Sequence, residues 1–341
     1  MRVAIGGSTG LLGTALSRHL VQAGHDVVRL VRGSVTASDQ RRWDPDAGRI
    51  EAPGLDDVDA VVNLAGTPIA GGRWTKDRRT EIRRSRITAT LTIVTSLTPD
   101  GRCQRLLNGS AIGFYGDTGL EVVDESMPAG RGFLAQVVAD WEAAAGHSPV
   151  PTAVLRTGHV LAREGGYLAM QRPLFAIGLG GRVGSGRQFL SWISLTDHVR
   201  AMAFLLEHDL TGPVNLVAPN PVSNAEFTRS FGRHLHRPTP LPLPLTAVGA
   251  IFGREFVNEA LLPGQRVRPA RLIEAGFSFE QPPGRPDLPN RRAGRGDRRR
   301  RRPGCGDTLT AHTRGREVTC VESAHPVRRS GALRSPRPDL R

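Results

Sequence analysis

The sequence predicts an α/β fold: a doubly wound parallel sheet with helices on both faces, then a smaller C-terminal substrate lobe and a helical cap. Three observations carry that expectation. Short apolar runs alternate with stretches of helical period through roughly the first half of the chain, the pattern of successive β-α-β units. A glycine-rich turn joins the first apolar run to the first helix. Residues 1–284 are near-neutral, with 30 basic and 26 acidic side chains, and are long enough to bury a sizeable core.

The elements follow in order. Val3-Ala4-Ile5 is a short apolar strand, and a helix runs from the glycine turn through about Ala23. Val27 to Val31 forms the second strand and Asp59 to Leu64 the third. A long basic amphipathic helix covers about Lys76 to Leu97, Arg105 to Asn108 reads as strand four, and a helix spans about Phe133 to Ala145. Ala153-Val154-Leu155 makes strand five. Later, Thr196 is placed to cap a helix to about His208, and Ser223 with Glu226 forms a capping box for another. Pro238 to Pro244 reads as a semi-rigid connector into the cap. The expected domains are therefore 1–234, the wound sheet with its smaller lobe, and 235–283, the cap.

Beyond about residue 284 the composition changes. That stretch carries sixteen Arg and no Lys against six acids, no Phe, Tyr or Trp, the run Arg298 to Arg302, and two of the three cysteines, Cys305 and Cys320. It cannot bury enough apolar surface to offset its ordering entropy and is read as a disordered tail over 284–341. An Arg-rich arm could bind nucleic-acid phosphates; a solvated tail, such as a shifted reading frame would produce, is the duller reading and is preferred. No apolar run approaches the roughly 18 residues of a membrane helix, and the glycines of the first ten residues interrupt any secretory core. A soluble, reduced, cytoplasmic protein is expected.

The sharpest local signal is Gly7-Ser8-Thr9-Gly10-Leu11-Leu12-Gly13, directly after strand one and opening a helix. One glycine makes the tight turn, the next lets backbone approach a pyrophosphate, and the third lets the helix pack on the strand. Free N–H groups at the helix start then face phosphate. Gly7, Thr9, Gly10, Leu11, Leu12 and Gly13 are thus candidate dinucleotide-binding residues in a Rossmann-type unit. An NAD site usually carries an acid at the end of strand two; this chain has Val31-Arg32-Gly33-Ser34. Arg32 is suited to a ribose 2′-phosphate, which favours NADP, although a solvated surface arginine is the competing reading.

Further motifs are Asn63-Leu64-Ala65-Gly66, Arg73-Trp74-Thr75, Ser85-Arg86-Ile87, Asn108-Gly109-Ser110-Ala111 with Tyr115-Gly116, Asp140-Trp141-Glu142, Arg156-Thr157-Gly158, Trp192-Ile193 with Asp197, and Leu262 to Val267. With these the chain resembles an extended short-chain dehydrogenase/reductase. More narrowly, it is similar to the epimerase-family proteins with a C-terminal DUF1731 domain, from Met1 to about Pro282. The resemblance implies that Val31 and Arg32 contact the adenosine phosphate and that Leu64, Ala65 and Gly66 line the cofactor. It also implies that Glu81 and Arg86 reach the cofactor from the long helix and that Val160 flanks its nicotinamide end. Plainer readings stand beside these: a buried strand end for Leu64 and Ala65, and a helix-surface ion pair for Glu81.

Typical members carry out proton transfer with Tyr-x-x-x-Lys on a helix and a Ser or Thr on strand four. Ser110 fits the latter role. Phe133 and Val137 occupy the Tyr and Lys positions, and Lys76 is the chain's one lysine. Neither Phe nor Val transfers a proton, and a positioned general acid is worth about 10²- to 10⁴-fold in rate. Tyr115 is a possible substitute acid or else an aromatic packed under its loop. Arg156 binds an anionic substrate or pairs with Glu142 or Asp140. His159 is a further candidate acid or a structural histidine. The glycine-rich, basic stretch Gly178 to Gln188 suits a lid, or is a plain surface loop. Cys103 reads as packing. No Cys/His cluster has metal-ligand spacing and no Gly-x-Ser-x-Gly elbow occurs, which disfavours a metalloenzyme or a hydrolase. Two functions of different class follow: an NADP-binding oxidoreductase or epimerase-like protein, and an NADPH-binding sensor without turnover.

Overall fold

The computed structural model describes residues 1–280. The readings made for 281–341, including the Arg-rich tail and its two cysteines, lie outside the described residues. The first unit is β1 (Arg2–Gly6), α1 (Leu11–Gln22) and β2 (Asp26–Val31). Two strands follow that the apolar pattern did not announce, β3 (Gln40–Asp44) and β4 (Arg49–Ile50). Then come β5 (Ala60–Asn63), α2 (Lys76–Thr95) and β6 (Arg105–Ala111), followed by β7 (Val122–Val123), α3 (Phe133–Ala145) and β8 (Thr152–Thr157).

All of these strands except β7 join β12 (Gly212–Leu216) in one eight-stranded sheet, in the order β12-β8-β6-β5-β1-β2-β3-β4. It is parallel throughout except at its β3–β4 edge. From β1 the chain winds outward through β2 and β3, then crosses back to β5 and winds outward the other way. The loops after β1 and β5 therefore lead to opposite faces, and a crevice opens between them.

Strand alternation sorts the core into two layers. Val3, Ile5, Val62, Leu107 and Leu155 meet Leu16 and Leu20 of α1 on one face. Ala4, Val28, Leu30, Val61 and Leu106 meet Ala89, Ile93 and Val94 of α2 on the other. Cys103 lies buried in this second layer, as the packing reading expects. The strand β3 escaped the sequence reading because it is Gln-Arg-Arg-Trp-Asp. Its Arg41 is nonetheless buried and pairs with Asp57 through two 2.8 Å contacts.

The C-terminal lobe contains β9 (His159–Leu161), α4 (Gly166–Ala176), β10 (Phe189–Leu190), β11 (Trp192–Ser194), α5 (Leu195–Glu207), β13 (Val222–Ser223) and α6 (Asn224–His234). Leu168, Phe175, Trp192, Phe227 and Phe231 form its own small core. The expected capping box at Ser223 and Glu226 is present. The cap of α5 is not Thr196 but Ser194, whose hydroxyl accepts the Asp197 N–H at 2.9 Å. An acid three residues on favours that register, so the helix starts at Leu195. The last elements are α7 (Leu245–Phe252), α8 (Arg254–Phe256), a π turn at Val257–Leu261, β14 (Arg266–Val267) and α9 (Ala270–Glu274).

One buried cation fastens α5 to the sheet. Arg105 opens β6, is 7% exposed, and donates to the carbonyls of Leu205 at 3.1 Å, Leu210 at 2.9 Å and His208. Leu205 and His208 carry open carbonyls at the C-terminus of α5, where positive charge is favoured, and Leu210 lies in the turn that follows. Arg105→Met removes all three donors and is expected to cost about 2–4 kcal/mol, read as a lower urea midpoint; an unchanged midpoint would contradict this role.

Candidate functional site

The glycine turn after β1 is fixed by close approach of backbone to backbone. Gly7 has φ +75°, and a Cβ on it would lie 2.7 Å from the carbonyl carbon and oxygen of Leu64. A Cβ on Gly13 would overlap the Gly7 carbonyl oxygen outright. Only glycine fits either place, so the turn presses against the end of β5 while α1 starts directly beneath it. A cleft of about 450 Å³ lies over this contact. Gly7, Thr9 and Gly10 line it, together with Val31 and Arg32 from β2 and with Leu64, Ala65 and Gly66. Glu81 of α2 also reaches it. Arg32 is exposed and forms no ion pair among the described residues. Glu81 shows the plainer of its readings, an ion pair on its own helix, while lining the cleft. It accepts from Thr67 Oγ1 at 3.2 Å and pairs with Arg84 at 2.8 Å, and the Arg84 hydrogen bond holds its carboxyl below the usual range. A backbone cradle at a helix start, with a free arginine at its rim, fits a dinucleotide phosphate.

Leu64 also lines a second cavity of about 530 Å³, deeper toward β6 and α3. Its α3 wall is apolar: Leu134, Val137, Val138 and Trp141. The residue in the lysine position, Val137, thus faces the cavity, whereas Phe133 packs edge-on against Trp74 with centroids 5.4 Å apart. Leu12 reaches this inner cavity, while Leu11 packs against Gly165 and Gly166. Val160, expected at the nicotinamide end, is 8% exposed in the sheet core, and its neighbour His159 lines the cavity instead. Burying Val160 costs nothing, whereas the imidazole needs a polar surface.

Ser110 and Thr157, on neighbouring strands, form the polar floor. Ser110 donates its hydroxyl proton to Glu142 Oε1 at 2.5 Å. Arg156 grips the same carboxylate with two 2.9 Å contacts and reaches the Tyr115 hydroxyl at 3.0 Å. Of the readings for Arg156, pairing with Glu142 is the one observed; Asp140 pairs with Arg83. Tyr115 does not face the cavity. Its hydroxyl donates to Asn215 Oδ1 at 2.8 Å, its ring packs with Ile112, Val123, Val217 and Val267, and burial raises its pKa. The expectation of Tyr115 as substitute acid is therefore corrected: it is the packed aromatic of the alternative reading, because Asn215 and Arg156 already satisfy its hydroxyl.

Three further groups complete the wall. His159 Nδ1 meets the Ser191 carbonyl at 3.2 Å, burial lowers its pKa, and Tyr167 holds its ring edge-on at 4.8 Å. A carbonyl only accepts, so Nδ1 carries the proton and Nε2 is the free nitrogen. His198 lies behind Thr157, with Nε2 3.0 Å from its hydroxyl and Nδ1 buried without a partner; burial pushes its pKa down to about 3. Arg86 donates to the carbonyls of Thr67 and Ile82 at 3.0 and 2.8 Å and stacks over Trp141. Buried, and with no carboxylate bound, its pKa falls to about 10.

The stretch 178–188 is not a lid in this structure. None of its residues lines the cavity, and its backbone is held by Asn224 at Val183 and by the Leu243 N–H at Arg182. The sequence reading attached no role to Glu142 beyond pairing. It attached none to Glu259, which accepts the Leu134 N–H at 3.2 Å and lines the cavity from the cap. Nothing in the residues around Glu259 distinguishes it from a solvated surface acid, so sequence reasoning missed it. Among the described residues no group of three or more His, Cys, Asp or Glu is placed to hold a metal, and no helix is long and apolar enough to cross a membrane.

The family model described as NAD dependent epimerase/dehydratase family matches residues 3–217. The chain belongs to that family. A second model, a domain of unknown function (DUF1731), matches residues 243–283. An epimerase family protein of Mycobacterium bovis is 50% identical over 281 residues, covering 81% of this chain and 93% of that protein. Human epimerase family protein SDR39U1 is 36% identical over 295 residues, covering 83% and 96%. The crystal structure of its isoform 2 with NADPH superposes with a TM-score of 0.76 at 34% identity, over 83% of this chain and 96% of that one. A nucleoside-diphosphate sugar epimerase from Corynebacterium glutamicum gives 0.67 at 33% identity, over 82% and 56%. Fold and family together support a nicotinamide dinucleotide as the class of cofactor for this epimerase-family protein.

Two outcomes follow from the polar floor. Arg156→Met strands the Glu142 carboxylate and is expected to cost about 3–5 kcal/mol, while adding Glu142→Leu recovers part of that loss; equal midpoints for the single and double variants would refute the coupling. His198 has a folded pKa of about 3 against an ordinary 6.5. The unfolded chain binds the proton first, so stability is full above about pH 6.5 and is lost as pH falls toward 3, by up to about 1.4 kcal/mol per pH unit. His198→Gln should flatten that slope in urea titrations across this window.

Proposed function

We propose that this chain is an NADP(H)-binding oxidoreductase or epimerase-like protein whose small-molecule substrate occupies the inner cavity. The observation that carries this reading is that the glycine cradle and the inner cavity meet at Leu64. A dinucleotide lying over the cradle would therefore run toward Ser110. Its adenosine phosphate would be held by Gly7, Thr9, Gly10, Val31 and Arg32, and its middle by Leu64, Ala65, Gly66, Glu81 and Arg86. NADP over NAD rests on Arg32 standing where an acid would read a ribose hydroxyl, and on the human relative solved with NADPH. When bound, the nicotinamide supplies two-electron oxidation or reduction. Ser110, held by Glu142, positions the reacting oxygen, and His159 Nε2 is available for its proton. Residues 1–234 serve as the nucleotide-binding domain with its lobe and 235–283 as the cap. The setting is cytoplasmic, and neither nucleic acid nor membrane is the partner.

A second reading, an NADPH-binding sensor without turnover, is favoured by one observation: the Tyr and Lys positions hold Phe133 and Val137, both packed in apolar surroundings. The cofactor assignment is common to both. Titration with NADPH and NADH by nucleotide fluorescence is expected to show NADPH preferred, and Arg32→Ala to lose about tenfold to hundredfold in NADPH affinity while leaving NADH binding unchanged. Equal loss for both nucleotides would refute Arg32 as the phosphate reader. With an oxidisable or reducible substrate in hand, Ser110→Ala should slow NADPH turnover by about tenfold or more without weakening NADPH binding; unaltered turnover would favour the sensor.

A further inference from the structure

The inner cavity has an unusual balance of hydrogen-bonding groups. Ser110, Thr157 and His159 are its polar floor, and each has one proton when neutral. Ser110 gives its proton to Glu142, Thr157 has the Leu155 carbonyl at 3.2 Å and His198 Nε2 at 3.0 Å to take its own, and His159 Nδ1 gives its proton to the Ser191 carbonyl. None of the three has a proton left for a ligand, so what they offer one is lone pairs. A bound group that also only accepts, such as a carbonyl oxygen, would face unpaired acceptors there, and a hydroxyl would be matched.

The rest of the wall is mostly apolar: the Gln265 amide donates to the Gly116 carbonyl, Asn258 is an exposed residue, and charge is sparse. Arg86 is the one charged group beside Trp141, and two of its donor directions are already spent on carbonyls. Arg131 and Asp117 line only an exposed edge, and Glu259 adds a negative charge. A nucleoside diphosphate brings about two negative charges that need a cluster of cations or backbone donors. The inner cavity supplies no such cluster.

We propose that the inner cavity takes an apolar alcohol, its hydroxyl donating to the Ser110–Thr157–His159 acceptor set, and not a nucleoside diphosphate sugar. The hydrocarbon body lies against Val137, Val138 and Trp141, where a lysine at position 137 would otherwise bring a charge. This deepens the function proposed above and rests on its reading of the inner cavity as the substrate site.

The test uses the full chain, with and without NADP⁺, and three probes: menthol, menthone and UDP-glucose. Binding is followed by ligand-observed NMR, and NADPH binding is measured on the same samples by fluorescence. Menthol is expected to bind saturably, menthone about tenfold more weakly or worse, and UDP-glucose not at all. Ser110→Ala and His159→Phe are each expected to weaken menthol about tenfold while NADPH binding stays intact, the latter reporting that each variant is folded. UDP-glucose binding as tightly as menthol, menthone matching menthol, no binding of menthol, or two variants that leave menthol unchanged would each overturn the proposal. Loss of NADPH binding with menthol still bound would overturn the cofactor assignment instead and leave the alcohol site standing.

Discussion

The contact of the glycine turn with the end of β5 is the constraint on which the rest of the site depends. At Gly7 the backbone lies so close to Leu64 that a single methyl group would overlap the carbonyl carbon and oxygen. That closeness does two things. It brings the start of α1, with its unsatisfied N–H groups, to the crevice where the sheet order reverses. It also makes Leu64 the shared wall of the outer cleft and the inner cavity. Substituting Gly7 or Gly13 would separate strand, turn and helix, and with them the two halves of the site.

Beneath the inner cavity the fold sets a chain of buried polar groups. Ser110, Glu142, Arg156, Tyr115 and Asn215 are linked in sequence, and the Asn215 N–H then reaches Glu125 at 2.9 Å. A second group stands behind the α3 wall: Asn63, Asn108 and Thr90 bond to one another, and the Trp141 indole donates to Thr90 at 2.9 Å. Buried polar groups are tolerable when satisfied and costly when not. Their mutual satisfaction here fixes the side chains of β6 and α3 in one arrangement, which is what a binding wall requires. The unpartnered Glu125 Oε2 lies at the edge of the first network, and His198 Nδ1, also unpartnered, lies behind Thr157.

The C-terminal cap is part of the cavity rather than an ornament on it. Strand β14 adds to β7 in parallel, and Ser191 bridges the cap by accepting from Val267 at 2.9 Å and donating to the Gln265 carbonyl at 2.7 Å. Glu259 and Gln265 line the cavity, and Glu259 also accepts at the N-terminus of α3, where Gly132 offers no side-chain cap. The segment that matches the second family model therefore stabilises the helix whose apolar face forms a wall of the inner cavity.

Much of the fold was legible in the sequence because it rests on local signals. Apolar runs of strand length, helix periodicity, the glycine spacing and the capping box each depend on neighbours within a few residues. The strands β3 and β12 were missed for a related reason: Gln-Arg-Arg-Trp-Asp and Gly-Pro-Val-Asn-Leu lack an apolar run, and their places come from pairing with distant strands. Around the site, the sequence pointed to the cradle, Arg32 and Ser110, and to the absence of a tyrosine–lysine pair at Phe133 and Val137. It could not say that Tyr115 turns inward to Asn215, that Val160 goes to the core while His159 faces the cavity, or that 178–188 is tied down. Side-chain direction at a strand end and the partner of a buried charge are set by residues far along the chain. By itself the sequence determined the family, the inner strands of the sheet and the glycine turn, since backbone close approach demands glycine at fixed spacing. Only the tertiary structure decided which groups partner Ser110, Thr157 and His159, because those groups are brought together by the fold and not by the order of residues.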